Sequence, residues 1–347
     1  MIFLDTPGAA LGAPKSGLNR VRQRLGEALG TDALAAVWRD GDWHAPEGAV
    51  PPSADDWILV PGLFSEAERP GLVLRLAGGG CRCAAIFHDA IPIKRPDISW
   101  AHSVARHPGY MKLLAQFDHV FCVSRASEAE LHGYWRWLGV LAKARTSVLQ
   151  LGADFASIGR VTEPSGDSGV RFLCVGILEP RKNQDFLLDV CEGLWASGLH
   201  FGIDFVGRVN PEFGRPIARR VGKAKASGRD VRHLKGLGDK ELERLYRNSR
   251  AVLFPSVAEG CGLPLLEALW LGTTCIHSDL PPLLENAEGG GTCAVALNDF
   301  SAWTHVLRRA VSDDRWIGEL RAQARARELP TWDQAAGQVR RTLGARL

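Results

Sequence analysis

The chain has 347 residues, 46% of them apolar and 23% charged, a composition that predicts two globular domains with ample material for two cores. Its 42 basic and 39 acidic residues leave a net charge of +3, too balanced for a nucleic-acid binder. No apolar run approaches the roughly 20 residues that span a bilayer, and Met1-Ile2-Phe3-Leu4-Asp5 turns acidic too soon for a signal peptide.

Strand and helix signals then alternate along the whole chain, as stacked βαβ units require. Ile2–Leu4 reads as a strand, Pro7 to Ser16 as a glycine-containing loop, and Leu18 to Leu29 as an amphipathic helix. Leu34–Trp38, Trp57–Val60, Ala84–Phe87, Val120–Val123 and Ser147–Leu149 read as further strands, with helices over Trp100–Phe117 and Ser127–Leu141. The polar stretch from Thr162 to Gly169 is the clearest linker. Beyond it, Phe172–Val175, Ile203–Val206, Val231–His233, Ala251–Phe254, Thr274–Ile276 and Ala294–Leu297 read as strands. Helices are expected over Gln184–Trp195, Lys240–Asn248, Leu263–Leu271 and Ser301–Ser312, followed by an Arg-rich helical end broken at Pro330. The expected division is 1–162, 163–325 and a C-terminal helix over 326–347.

The eight cysteines sit mostly in apolar runs; Cys122, Cys174, Cys275 and Cys293 read as small core residues of strands. Cys81 and Cys83 form a single C-x-C that reads as a strand start rather than a metal site. This usage fits a reducing cytoplasm. Tyr134-Trp-Arg-Trp-Leu with Lys143 and Arg145 is read as core packing, with contact to anionic lipid as the second reading.

Three constellations could carry chemistry. Ala251 to Gly272 is a buried-strand signal, a turn with Gly260 and Gly262, and a helix starting at Leu263 with Pro264 in its first turn. Glu259 lies on the turn and Glu267 one helical turn later, and the helix start suits an anion such as phosphate. Arg181 and Lys182 follow the strand that ends at Val175-Gly176, where a planar fork and a mobile point charge could neutralise a diphosphate. His88 and Asp89 follow a third buried strand; they could bond sugar hydroxyls or manage a proton, or be a backbone-satisfied histidine beside a capping aspartate. Ser16-Gly17 and Arg20 start the first long helix. No G-x-S-x-G elbow, Walker loop or complete Rossmann glycine fingerprint is present, which disfavours a hydrolase, an NTPase or a dehydrogenase.

Glu259-Gly-Cys-Gly-Leu-Pro-Leu-Leu-Glu267 resembles the E-x7-E motif of retaining glycosyltransferases of family 4, and Gly176 to Asn183 resembles that family's diphosphate-binding segment as found in bacterial mannosyltransferases of surface polysaccharide and O-antigen synthesis. Ser16-Gly17-Leu18-Asn19-Arg20, His88-Asp89 and Val123-Ser124 match in place. The resemblance implies an α/β GT-B architecture, two Rossmann-like doubly wound domains facing each other across a cleft, with the C-terminal helix returning to the first. The first domain would take the acceptor and the second the nucleotide sugar. Glu259 would meet the transferred sugar's hydroxyls and Glu267 the ribose. Arg181 and Lys182 would stabilise the leaving diphosphate, with His88 at the reacting face. Gly260, Cys261, Gly262, Leu263, Gly176 and Gly17 would line the donor, while Asp89, Ser16 and Arg20 would lie on the acceptor side. Ile177 stands where many members carry arginine, so either Arg181 supplies the second positive charge or the site is weaker than usual.

The implied activity is retaining, metal-independent transfer of a hexose to a glycan or lipid-linked glycan. Mannose from GDP-mannose is favoured, with no cofactor and no nucleic acid. The implied location is the cytoplasm, at the inner membrane face if the acceptor is lipid-linked. The alternatives are a GT-B nucleotide-sugar 2-epimerase and a non-catalytic sugar-nucleotide- or glycan-binding partner subunit.

Overall fold

The structure is a computed structural model and describes residues 1–6, 17–47, 49–155, 158–163 and 170–344. The expected loop over Pro7 to Ser16, and with it the site residue Ser16, lies outside the described residues, as does most of the expected linker. The chain divides into two compact units, Met1–Gly152 with Pro330–Leu347, and Ala153–Leu329.

The first unit is built on a seven-stranded sheet. Its strands are β1 (Ile2–Asp5), β2 (Ala33–Arg39), β3 (Asp42–His44), β4 (Trp57–Val60), β5 (Arg82–Phe87), β6 (His119–Cys122) and β7 (Arg145–Val148). They lie in the order β3-β2-β1-β4-β5-β6-β7, all parallel except the β2–β3 hairpin. The helices are α1 (Gly17–Leu29), α2 (Leu72–Ala77), α3 (Ile91–Lys94), α4 (Ala101–Leu114) and α5 (Arg125–Leu138). The hairpin was not expected. Asp40 and Gly41 both take positive φ, 53° and 83°, the geometry of a tight two-residue turn between twisted strands.

The second unit holds a six-stranded parallel sheet. Its strands are β8 (Arg171–Val175), β9 (Gly202–Val206), β10 (Val231–Leu234), β11 (Val252–Phe254), β12 (Cys275–Ser278) and β13 (Thr292–Val295), in the order β10-β9-β8-β11-β12-β13. The helices are α6 (Gln184–Ala196), α7 (Gly214–Ala226), α8 (Asp239–Asn248), α9 (Leu263–Trp270), α10 (Pro281–Ala287), α11 (Phe300–Ser312) and α12 (Asp314–Ala326). The strands are near-continuous apolar runs because helices cover both faces of the sheet. Phe172, Ile203, Phe205, Leu253 and Ile276 fill one side with Leu187, Val190 and Trp303. Leu173, Val252, Phe254 and Cys275 fill the other with Leu265, Leu269 and Tyr246.

The last helix, α13 (Trp332–Leu343), belongs to the first unit and packs on α1. Thr331 caps it, accepting from the Gln334 N–H at 3.2 Å while Gln334 accepts from the Thr331 N–H at 2.9 Å. Arg340, expected on a solvated or docking face, pairs with Asp32 at 2.8 Å and donates to the carbonyls of Ala28 and Leu29, the exposed C-terminal end of α1.

Cys122, Cys174 and Cys275 are buried as expected, but Cys293 is half-exposed because β13 is an edge strand. Trp135 is core, its Nε1 donating to the Met111 carbonyl at 2.7 Å, whereas Trp137, two residues further along the helix, is 79% exposed.

Candidate functional site

The doubly wound order of the second sheet reverses at β8. From there the chain moves outward through β9 and β10, then returns to β11 on the other side. The loops leaving β8 and β11 therefore part at a topological switch point, where open α/β sheets hold ligands. The first loop carries Arg181 and Lys182 and the second carries Glu259.

The loop after β8 is held by its own side chains. Pro180–Lys182 is one 3-10 turn, and Asn183 takes φ 58° before α6 begins. Asn183 Nδ2 donates to the Pro255 carbonyl at 3.0 Å and to Asn298 Oδ1 at 2.8 Å, and Gln184 Nε2 donates to the Ile177 carbonyl at 2.9 Å. The Val257 N–H donates to the Arg181 carbonyl at 2.9 Å, so the two loops are directly bonded.

Their charged side chains meet in one buried cluster. Lys182 Nζ lies 2.5 Å from Glu259 Oε1, and Arg181 Nη1 lies 3.1 Å from Glu259 Oε2. Arg181 also pairs with Glu179 at 3.0 Å and donates to the Ala258 carbonyl at 3.3 Å. Lys182 is only 8% exposed, and its ammonium sits 4.7 Å from the Phe254 ring centroid. Burial pulls the Lys182 pKa below the ordinary lysine value, with the Glu259 charge working against it. Burial alone would raise Glu259, but the charges of Lys182 and Arg181 outweigh it and hold the carboxyl below its usual range. Removing either partner would strand a buried charge, a loss of about 3–5 kcal/mol.

The turn between β11 and α9 is set by Gly262, whose φ of 90° suits glycine and whose missing side chain makes room for Leu283: a Cβ there would lie 2.2 Å from Leu283 Cδ2. Cys261 is buried in the same turn. Its carbonyl accepts from Asn286 Nδ2 at 2.7 Å, and burial pushes its thiol up to about 12. Leu263 opens α9, and Glu267 sits one turn in, 5% exposed, accepting from the Tyr246 hydroxyl at 2.8 Å. Gly176, φ 152°, lets the Lys182 stem pass; a Cβ there would lie 3.1 Å from Lys182 Cδ.

In the first unit, His88 follows β5. It is buried, and its Nε2 is 2.8 Å from the carbonyl of Pro61, the residue just after β4. Because a carbonyl only accepts, Nε2 carries the proton. Burial holds the His88 pKa below the ordinary histidine value, so the ring is neutral at pH 7. Asp89 Oδ1 accepts from the Ile91 N–H at 3.0 Å and its carbonyl from His107 Nε2 at 2.9 Å. This matches the backbone-satisfied reading of His88 and Asp89. Gly17 and Arg20 stand in the first turn of α1.

Arg181, Lys182, Glu259, Gly176 and the start of α9 thus form one constellation, with Glu267 on the same helix. Glu179, Asn183 and Asn210 were not among the expected site residues. Glu179 and Asn183 flank Arg181-Lys182 in sequence, but their roles depend on loops far away in the chain.

Residues 169–313 match the family model described as "Glycosyl transferases group 1". The chain is 29% identical over 327 residues to the serotype-specific mannosyltransferase WbdA of Escherichia coli, covering 83% of this chain and 40% of that relative. It is also 29% identical over 170 residues to the E. coli O-antigen chain mannosyltransferase B, covering 48% of this chain and 44% of that one. The chain thus spans less than half the length of these two relatives. Among solved structures it resembles sucrose-phosphate synthase from Thermosynechococcus elongatus, with TM-score 0.75, 19% identity and 99% of each chain covered. Anabaena HepE in complex with UDP and glucose gives TM-score 0.71 at 15% identity, again with 99% of each chain covered. Residues 169–313 are a group 1 glycosyltransferase domain, within a chain built of two Rossmann-like units of the GT-B type.

Proposed function

We propose that this chain transfers a hexose, with retention and without a metal, from a nucleoside diphosphate sugar to a hydroxyl of a glycan or lipid-linked glycan. Mannose from GDP-mannose is the favoured donor, and cell-surface polysaccharide synthesis the setting. The observation that carries the reading is the buried Lys182–Glu259–Arg181 cluster at the switch point beside the start of α9. The mannosyltransferases to which the chain is similar support the choice of sugar.

The barrier lies in breaking the anomeric C–O bond while negative charge grows on the departing diphosphate. Arg181, Lys182 and the α9 N-terminus supply positive charge there, a stabilisation of a few kcal/mol per well-placed donor. Glu259 leaves Lys182 for the transferred sugar's hydroxyls as the phosphates arrive, and Glu267 holds the ribose. The acceptor binds on the first unit, beside His88. Its hydroxyl attacks on the face the diphosphate leaves and gives its proton to that phosphate, which preserves configuration. The enzyme works in the cytoplasm, at the inner membrane face where the acceptor is lipid-linked. Among the described residues no helix is long and apolar enough to cross a membrane.

The test is a thermal-shift screen against GDP, UDP, dTDP and their sugars, followed by transfer to a mannoside acceptor in EDTA. GDP and GDP-mannose should raise the melting temperature most. Transfer should survive EDTA and give an α-linked product by NMR. A β-linked product, or activity that returns only with Mg²⁺, would refute the mechanism, and the absence of any nucleotide response would refute the function.

A further inference from the structure

The charges at the switch point cancel in this structure. Arg181 and Lys182 bring two cations, and Glu179 and Glu259, bonded to them, bring two carboxylates. A diphosphate therefore meets a cluster of no net charge unless a further cation is within reach. The adjacent strand provides one. β9 ends at Val206, and Gly207-Arg208 follow it, directly beside Gly176-Ile177 after β8.

The two loops are tied together at three points. The Leu178 N–H donates to the Arg208 carbonyl at 2.9 Å, the Asn210 N–H donates to the Leu178 carbonyl at 3.1 Å, and Asn210 Nδ2 donates to Glu179 Oε2 at 3.0 Å. The approach is so close that a Cβ on Gly207, φ 154°, would lie 2.1 Å from the Gly176 carbonyl oxygen. Asn210 is buried, and its Oδ1 accepts from the Glu212 and Phe213 N–H groups, which fixes the turn. Arg208 thus rides on a loop locked to the one that carries Arg181 and Lys182, a single strand spacing away. It is exposed, and among the described residues its guanidinium has no carboxylate at ion-pairing distance. By contrast, Arg220 in this unit meets Asp185, Asp189 and Glu192, and Arg171 and Arg232 share Asp204.

We propose that Arg208 is a donor-binding residue, contributing the uncompensated positive charge that draws the nucleoside diphosphate to the switch point. This rests on the donor reading above and adds to it a residue from a different strand. A guanidinium fork on phosphate oxygens is a charge-assisted contact, so its loss should show as affinity for the diphosphate group and little else.

The experiment is calorimetric titration of the full chain with GDP and with GMP, for the wild type and for Arg208→Ala, Arg208→Lys and Arg208→Glu. Arg208→Ala should weaken GDP about tenfold while changing GMP much less. Arg208→Lys should keep most of the affinity, and Arg208→Glu should lose more than alanine. The wild type's affinity should also fall more steeply with salt than that of Arg208→Ala. GDP binding by Arg208→Ala equal to wild type overturns the assignment, and so does a parallel loss for GDP and GMP. If wild-type protein itself binds neither GDP nor UDP, the donor reading falls and this residue's role with it.

Discussion

The two units use the ends of their strands differently. At the β8 and β11 ends, charged side chains from distant segments converge on one another: Lys182 on Glu259, Arg181 on Glu179 and Glu259. At the β4 and β5 ends of the first unit, the polar side chains instead turn to backbone, His88 to the Pro61 carbonyl and Asp89 to the Ile91 N–H. The second edge stores charge that a ligand can redistribute. The first holds His88 and Asp89 on backbone groups, and an ion pair, Lys94 with Glu130, lies further along the chain. The difference suits a division in which the charged diphosphate goes to one unit and a neutral sugar hydroxyl to the other.

That contrast can be broken by mutation. Lys182→Ala should lower transfer by at least ~100-fold, the scale for losing one such donor, with a marked fall in melting temperature because Glu259 is left buried. A fall of only a few-fold in a steady-state nucleotide-release assay would remove the diphosphate role. Glu267→Gln keeps an acceptor for Tyr246 and should weaken donor binding about tenfold with the melting temperature nearly unchanged; unchanged titration curves would argue against its ribose contact. His88→Ala should reduce transfer while leaving nucleotide affinity within about twofold. If His88→Ala weakens nucleotide binding as Lys182→Ala does, the division of labour is wrong.

The smallest effect is one of pH. His88, His107, His119, His233 and His277 are all held below the usual histidine pKa, in each case chiefly by burial. A depressed folded-state pKa means that unfolding takes up protons. Stability from these groups is therefore full above the unfolded value near 6.5 and declines as pH falls through the folded values. Melting temperatures between pH 7.5 and 5 should drop gradually, and His88→Gln should flatten part of that slope. A flat profile across this range would contradict the buried, neutral state of these rings.

Much of this was legible in the sequence, for identifiable reasons. The strands of the second unit are short, unbroken apolar runs, and the Gly-Cys-Gly-Leu-Pro turn announces a helix start whatever surrounds it. The hairpin of β2 and β3 was signalled by Asp40-Gly41, but only three residues follow before the chain leaves the sheet, too few to show an alternating pattern. The short helices α2 and α3 span less than two turns each and carry no periodicity to read. What no local pattern contains is pairing. Glu259 and Lys182 are 77 positions apart, and their contact depends on β8 and β11 being neighbours, which is a property of topology. Asn210 is illegible for the same reason, since its partner Glu179 lies on the loop of the next strand.

The docking of α13 on α1 bears on how the molecule is made. The first unit is drawn from both ends of the described chain, so residues 1–152 emerge from synthesis without the helix that completes them. Trp332, Ala335, Val339 and Leu343, all buried in the finished protein, arrive only after the entire second unit has been translated. Until then α1 lacks the partner it packs on, and its C-terminal carbonyls at Ala28 and Leu29 lack Arg340. The second unit, continuous from Ala153 to Leu329, needs no later segment and can fold as it appears. The unit encoded first can therefore be completed only after the whole of the second has been made.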